Sequence, residues 1–244
     1  MLLRIVIVRF DYVVGAKHKS SQYTNTVKDL GVLIDCNLSM NEQINKITRE
    51  TGYHLRNIAF LKKYLDDDVL KMLIHNNVIN RLDYCNSLYL GLPNYQLRKM
   101  QSIMNRAARL IKGLPRQERI TPALIELHWL PVKARIEYKI CVLSFQALKF
   151  DKPRYIRDML KDFQPGTSLM LRHSDHQHRL DEPRCNTELG FRAFQVSAPR
   201  LFNKLPNDIK SSASVQVFKK KLKTFLFKKS YDMDTLTVND HYKV

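Results

Sequence analysis

After Asp35 the apolar residues of this chain stop alternating and recur instead three and four positions apart, and the pattern seldom reverts. A helix gathers residues three and four apart onto one face, whereas a strand gathers every second one. The fold class this implies is mainly α, with a small β portion ahead of the switch and a basic helix near the C-terminal end. Ile5-Val6-Ile7-Val8 and the run Val27 to Ile34 are short and β-branched, with polar residues between them, and read as two strands. Two strands do not stand alone, so they must lean on helices or belong to a larger sheet.

Ser39 with Glu42 three residues later has the pattern of a capping box, opening a helix to about Leu65 with Ile44, Ile47, Thr51, Leu55, Ile58 and Leu61 as its buried stripe. A second helix from about Asp67 to Leu82 buries Leu70, Leu73 and Ile74. Gly91-Leu92-Pro93 separates it from a third, roughly Asn94 to Lys112. The third has Leu97, Met100, Met104, Ala107 and Ile111 on its apolar line. At about 100° per residue, Arg98, Lys99, Arg106, Arg109 and Lys112 fall within roughly 140° on the other side.

Thr121-Pro122 opens a short helix as N-cap and first-turn proline, which Pro131 closes at Leu130. A longer helix, about Val132 to Lys149, turns Val132, Ile136, Ile140, Leu143 and Ala147 inward, and Pro153 to Leu160 adds a brief turn. Phe163 to Glu188 loses periodicity and reads as a mobile stretch or boundary. Helical pattern returns over Phe191 to Phe202. A last amphipathic helix from Ser214 to about Lys229 sets Phe218, Leu222, Phe225 and Leu226 against lysines.

Charge narrows the choice of partner. The chain has 41 Lys and Arg against 23 Asp and Glu, net +18, which favours a polyanion. Residues 1–80 are net +3, 81–164 net +9 and 165–244 net +6, so the field lies in the last two thirds. Between Arg98 and Arg119 stand Arg98, Lys99, Arg106, Arg109, Lys112, Arg116 and Arg119 with one acid, Glu118. Such a strip can follow phosphates, with affinity that falls as salt rises. Lys219, Lys220 and Lys223 form a second basic group.

Other chemistry finds little support. Asp66-Asp67-Asp68 is a poor metal site, because consecutive residues at a helix start point in different directions and acids there are favoured by the unpaired amides. His173, His176, His178 and Cys185 do not have the spacing of a zinc finger. The seven glycines are isolated, so no phosphate-cradling loop is expected, and Cys36, Cys85, Cys141 and Cys185 are too scattered for a disulfide framework or thiolate cage. Leu2 to Val8 is too short and too interrupted for a signal-peptide core or membrane span, and a reducing, intracellular setting (cytoplasm or nucleus) is expected.

Two blocks carry a resemblance: Arg81-Leu82-Asp83-Tyr84-Cys85-Asn86, and His128-Trp129-Leu130-Pro131-Val132 followed by Arg135 and Lys139. With Val27 to Asp35, His54 to Ile58, Ser87 to Pro93, Gln101 to Leu110, Ile120-Thr121-Pro122, Arg192-Ala193-Phe194, Ala198 to Pro206 and Phe218 to Lys223, they resemble, in order, the region behind the catalytic palm of jockey-like non-LTR retrotransposon reverse transcriptases. The resemblance covers about residues 27–229. The expected division is a small β portion over 1–36, which the resemblance makes a remnant of the palm edge, a helical thumb-like domain over 37–162, a loose polar segment over 163–190 where periodicity is lost, a C-terminal helical extension over 191–230 and a frayed tail over 231–244.

The family enzyme is an RNA-directed DNA polymerase whose palm aspartates hold Mg²⁺. No residue here maps onto a catalytic role. The resemblance therefore implies a non-catalytic fragment with no cofactor of its own, gripping RNA or DNA, a template-primer duplex above all, through Arg98, Lys99, Arg106, Arg109, Lys112, Arg116, Arg119, Lys219, Lys220 and Lys223. The alternative is a truncated mobile-element remnant acting as a structural or protein-interaction module, or without function.

Overall fold

The computed structural model describes residues 26–163 and 179–231. The segment Ile5 to Val8, the histidines His173, His176 and His178, and the tail beyond Tyr231 lie outside the described residues. The chain is mainly α-helical and divides into two compact units, one ending at Lys46 and the other beginning at Ile47.

In the first unit the run Val27 to Ile34 corrects the sequence reading: it is a hairpin and not one strand. Strand β1 (Thr26–Asp29) pairs antiparallel with β2 (Val32–Asp35), Thr26 opposite Asp35 and Asp29 opposite Val32. Leu30 and Gly31 between them both have positive φ, 45° and 85°, the two-residue turn whose twist matches paired strands. Composition alone hid it, because Leu30 is an unusual residue for that conformation. The Asp35 carboxylate then accepts the Ser39 and Met40 amides at 2.8 and 2.7 Å, tying the strand end to the entry of helix α1 (Asn41–Leu61). Buried Gln43 in the first turn of α1 accepts the Leu33 amide at 2.9 Å.

The second unit follows the expected helices closely and departs at informative points. On α1, Ile47, Thr51, Leu55 and Ile58 are buried, but Leu61 is half exposed because the helix tightens into a 3₁₀ turn at Lys62–Tyr64 and loses its phase. Helices α2 (Asp67–Ile74) and α3 (Asn80–Asp83) form one run interrupted by a π turn at His75–Ile79. The extra residue in that turn brings both Val78 and Ile79 inward, after Leu70 and Ile74 and before Leu82, while Leu73 stays half-buried. After a 3₁₀ turn at Asn86–Tyr89, helix α4 spans Asn94–Lys112 and ends at Gly113, whose φ of 67° suits a left-handed cap.

Helix α5 (Thr121–Glu126) ends earlier than expected, and its stop is not Pro131. His128 takes a left-handed φ of 51°, its amide reaches the Ile125 carbonyl, and the Trp129 amide reaches Leu124, the two bonds of a Schellman cap. Helix α6 (Val132–Phe150) has buried residues on opposite faces: Ala134, Ile136, Ile140, Cys141, Val142, Ser144, Phe145 and Ala147. The single inward stripe expected for it was too narrow, and Leu143 is only half-buried.

The chain continues through α7 (Arg154–Arg157), α8 (Glu188–Arg192), α9 (Phe194–Asn203), α10 (Asn207–Lys210) and α11 (Val215–Ser230). Both α9 and α11 pack on α6, and the Phe145 and Phe218 rings stack 4.0 Å apart and nearly parallel at 10°. The described part of the aperiodic stretch is anchored at its ends. The Phe163 amide bonds the Arg179 carbonyl at 3.0 Å, Leu180 is buried, and the Asn203 amide group both donates to and accepts from the Leu180 backbone at 2.9 Å.

The segments Arg81 to Asn86 and His128 to Arg135 meet here. Asp83 at the end of α3 forms an ion pair with Arg135 of α6, whose Nε also donates to the Leu130 carbonyl at 3.0 Å, and Asn86 donates to Asp83 at 3.3 Å. Gln101 of α4 accepts the first-turn amide of α6 at Val132, and the Tyr231 hydroxyl donates to the Trp129 carbonyl at 2.6 Å.

Two measurements test this packing. The side chains of Arg135 and Asp83 are 19% and 35% exposed, so the pair lies between a surface and a buried ion pair. Asp83→Ala is expected to cost about 2 kcal/mol in urea unfolding, and a double-mutant cycle with Arg135→Met to give a coupling of about 1 kcal/mol. Purely additive losses would contradict the pairing.

Burial pushes both the Tyr231 hydroxyl and the Cys141 thiol up to about 12. Because the unfolded groups ionise near ~10 and ~8.5, the stability they contribute is complete below those values and is lost as pH rises towards 12. A falling urea midpoint above about pH 9, flattened by Tyr231→Phe with Cys141→Ala, is the expected result.

Candidate nucleic-acid interface

The outward faces of α1 and α4 bound an open groove of about 960 Å³. Its walls follow from local sequence. On α4, Met100, Ile103, Met104, Ala107 and Ala108 turn into the core, which leaves Arg98, Ser102, Asn105 and Arg106 on the groove side. On α1, Leu55 and Ile58 turn inward, and Arg56 and Ala59 face the opening, followed by Lys62 in the 3₁₀ turn.

Six cations line this groove: Arg56, Lys62, Arg98, Arg106, Arg109 and Arg116. No carboxylate among the described residues does so. Two of the six are also fixed within the fold. Lys62 donates to the Leu110 carbonyl at 2.7 Å, and its ammonium lies at the C-terminal end of α4, where a positive charge meets the unpaired carbonyls. Arg109 donates to the Glu118 carbonyl at 3.2 Å, which ties α4 to the loop after it. Arg98, Arg106 and Arg116 are exposed.

The expected basic residues therefore separate. Arg98, Arg106, Arg109 and Arg116 come together in the groove. Lys112 turns away to pair with Glu126 on α5, Lys99 lies 5.9 Å over the Tyr95 ring, and Arg119 is exposed but does not line the groove. Lys219, Lys220 and Lys223 are exposed on α11, outside the groove, while their neighbour Lys221 is held by Asp208 at 2.7 Å.

Arg56 and Lys62 were missed as site residues. Their helix gave a sign in its net positive outward face, but only the fold shows that this face stands opposite α4. Asp83 is accounted for by its pairing with Arg135, and Asp66 to Asp68 cluster at the start of α2, where Lys71 takes Asp68 at 3.1 Å. Among the described residues no three His, Cys, Asp or Glu side chains are grouped to hold a metal, and no helix is long and apolar enough to cross a membrane.

The groove is thus open, is lined by fixed and exposed cations, and has no carboxylate among the described residues that line it. No family model, curated protein or solved structure matches this chain.

Proposed function

We propose that this protein grips a nucleic-acid duplex in the groove between α1 and α4, as a non-catalytic, thumb-like portion of a non-LTR retrotransposon RNA-directed DNA polymerase. The observation that carries the reading is the convergence of Arg56, Lys62, Arg98, Arg106, Arg109 and Arg116 on one open groove without a carboxylate among the described residues. Guanidinium groups pair phosphate oxygens through two parallel bonds, and a row of them holds a backbone without reading its sequence. The order of sequence blocks supports the assignment to a polymerase thumb, and the family's metal-holding aspartates lie in the palm, outside the region of resemblance. The chain is inferred to have no polymerase activity by itself.

Arg98, Arg106 and Arg116 are the residues to change, because they are exposed and their loss leaves Lys62 and Arg109 to support the fold. Their joint replacement by Glu is expected to lower affinity for a 12-base-pair RNA–DNA duplex at least about tenfold at ~0.1 M salt. The slope of log affinity against log salt should shrink by about 3, near ~0.9 per lost phosphate contact. Unchanged affinity in a variant with an unchanged melting curve would refute the groove. Template-dependent nucleotide incorporation by the purified chain would refute the non-catalytic reading.

A further inference from the structure

From Arg49 to Tyr64 a second feature runs along α1 and its 3₁₀ turn. Arg49, Tyr53, Arg56 and Phe60 follow one another on the helix at steps of four, three and four residues, and Lys63 and Tyr64 follow in the 3₁₀ turn, three and four residues beyond Phe60. Steps of three and four keep side chains on one face of a helix, so cations and aromatic rings alternate in a single row. The row is solvent-facing: Tyr53, Phe60 and Tyr64 are 55%, 78% and 75% exposed, while Ile47, Thr51, Leu55 and Ile58 fill the buried face.

A single exposed aromatic residue needs no explanation, but three spaced between cations do. The only carboxylate in residues 47–64 is Glu50, and Arg81 holds it at 3.2 Å. The row therefore presents flat rings and positive charge together. A protein groove that receives apolar side chains would be expected to carry aliphatic residues in the row, and a membrane surface to meet a continuous apolar face with lysines at its borders. Neither pattern is present.

We infer that this face of α1 binds single-stranded nucleic acid, with bases stacked on Tyr53, Phe60 and Tyr64 and phosphates held by Arg49, Arg56 and Lys63. Ring faces accept any base, and interleaved cations follow the backbone. Tyr53 and Phe60 are seven residues apart, about 10 Å along a helix, close to three stacked nucleotides at about 3.4 Å each. Two rings already have neighbours that set their orientation: Lys63 lies 4.7 Å over Tyr64, and His54 meets Tyr53 edge-on at 5.8 Å. Arg56 belongs both to this row and to the wall of the groove, so a strand leaving the groove passes directly onto the rings.

The test uses the full chain with a labelled 12-nucleotide oligouridine and, in parallel, the 12-base-pair duplex. Joint replacement of Tyr53, Phe60 and Tyr64 by Ala is expected to weaken oligouridine binding at least about tenfold, with the salt slope unchanged because no cation is lost. Duplex affinity should stay within about twofold. The set Tyr53→Phe, Phe60→Trp and Tyr64→Phe should keep oligouridine binding. Absence of oligouridine binding by the natural chain, full binding by the triple Ala variant, or equal loss for both nucleic acids would each overturn the inference. Oligouridine binding that depends on the rings, alongside no duplex binding, would uphold the row and overturn only the groove.

Discussion

Helix α6 has buried residues on opposite sides, and that burial dictates much of the second unit. Ile136, Ile140 and Ala147 lie on one side of it and Ala134, Cys141 and Phe145 on the other, so no orientation hides one set without exposing the other. A helix with buried residues on two opposite sides must be packed by neighbours on both. Here α4, α9, α11 and the turn at Asn86–Tyr89 enclose it, with the Phe145–Phe218 stack at the contact with α11. The C-terminal helices are thus part of the same core as the helices before them.

The same constraint produces the surface. Because α4 gives Met100, Met104 and Ala107 to the core, the polar and basic Arg98, Ser102, Asn105 and Arg106 are left on its groove side. Lys62 and Arg109 then serve two ends, bonding backbone carbonyls while placing their charge in the groove. With no carboxylate among the described residues lining it, six cations in one concavity repel one another, and a polyanion would relieve that repulsion. Asp83 and His128, which look chemical in isolation, hold the frame instead: one pairs with Arg135, and the other supplies the left-handed residue that ends α5.

Local pattern made the long helices legible. The bounds of α4 and the Ser214 cap of α11, which accepts the Val217 amide at 3.2 Å, follow from residues a few positions apart. What stayed hidden depends on distant partners or on unusual backbone. The positive φ of Leu30, the π turn at His75–Ile79, the two-sided burial of α6 and the grip of Asn203 on Leu180 leave no periodic trace. The basic strip on α4 was readable by helical phase, yet its opposite wall, Arg56 and Lys62, was not, since phase within one helix says nothing about which helix faces it.

Arginine-selective chemical footprinting shows whether nucleic acid lies in the groove between α1 and α4. With saturating RNA–DNA duplex at low salt, Arg98, Arg106 and Arg116 should be protected from modification, while Arg154, exposed on α7 outside the groove, should react as it does in the free protein. Equal reactivity of the groove arginines with and without bound duplex would place the nucleic acid elsewhere.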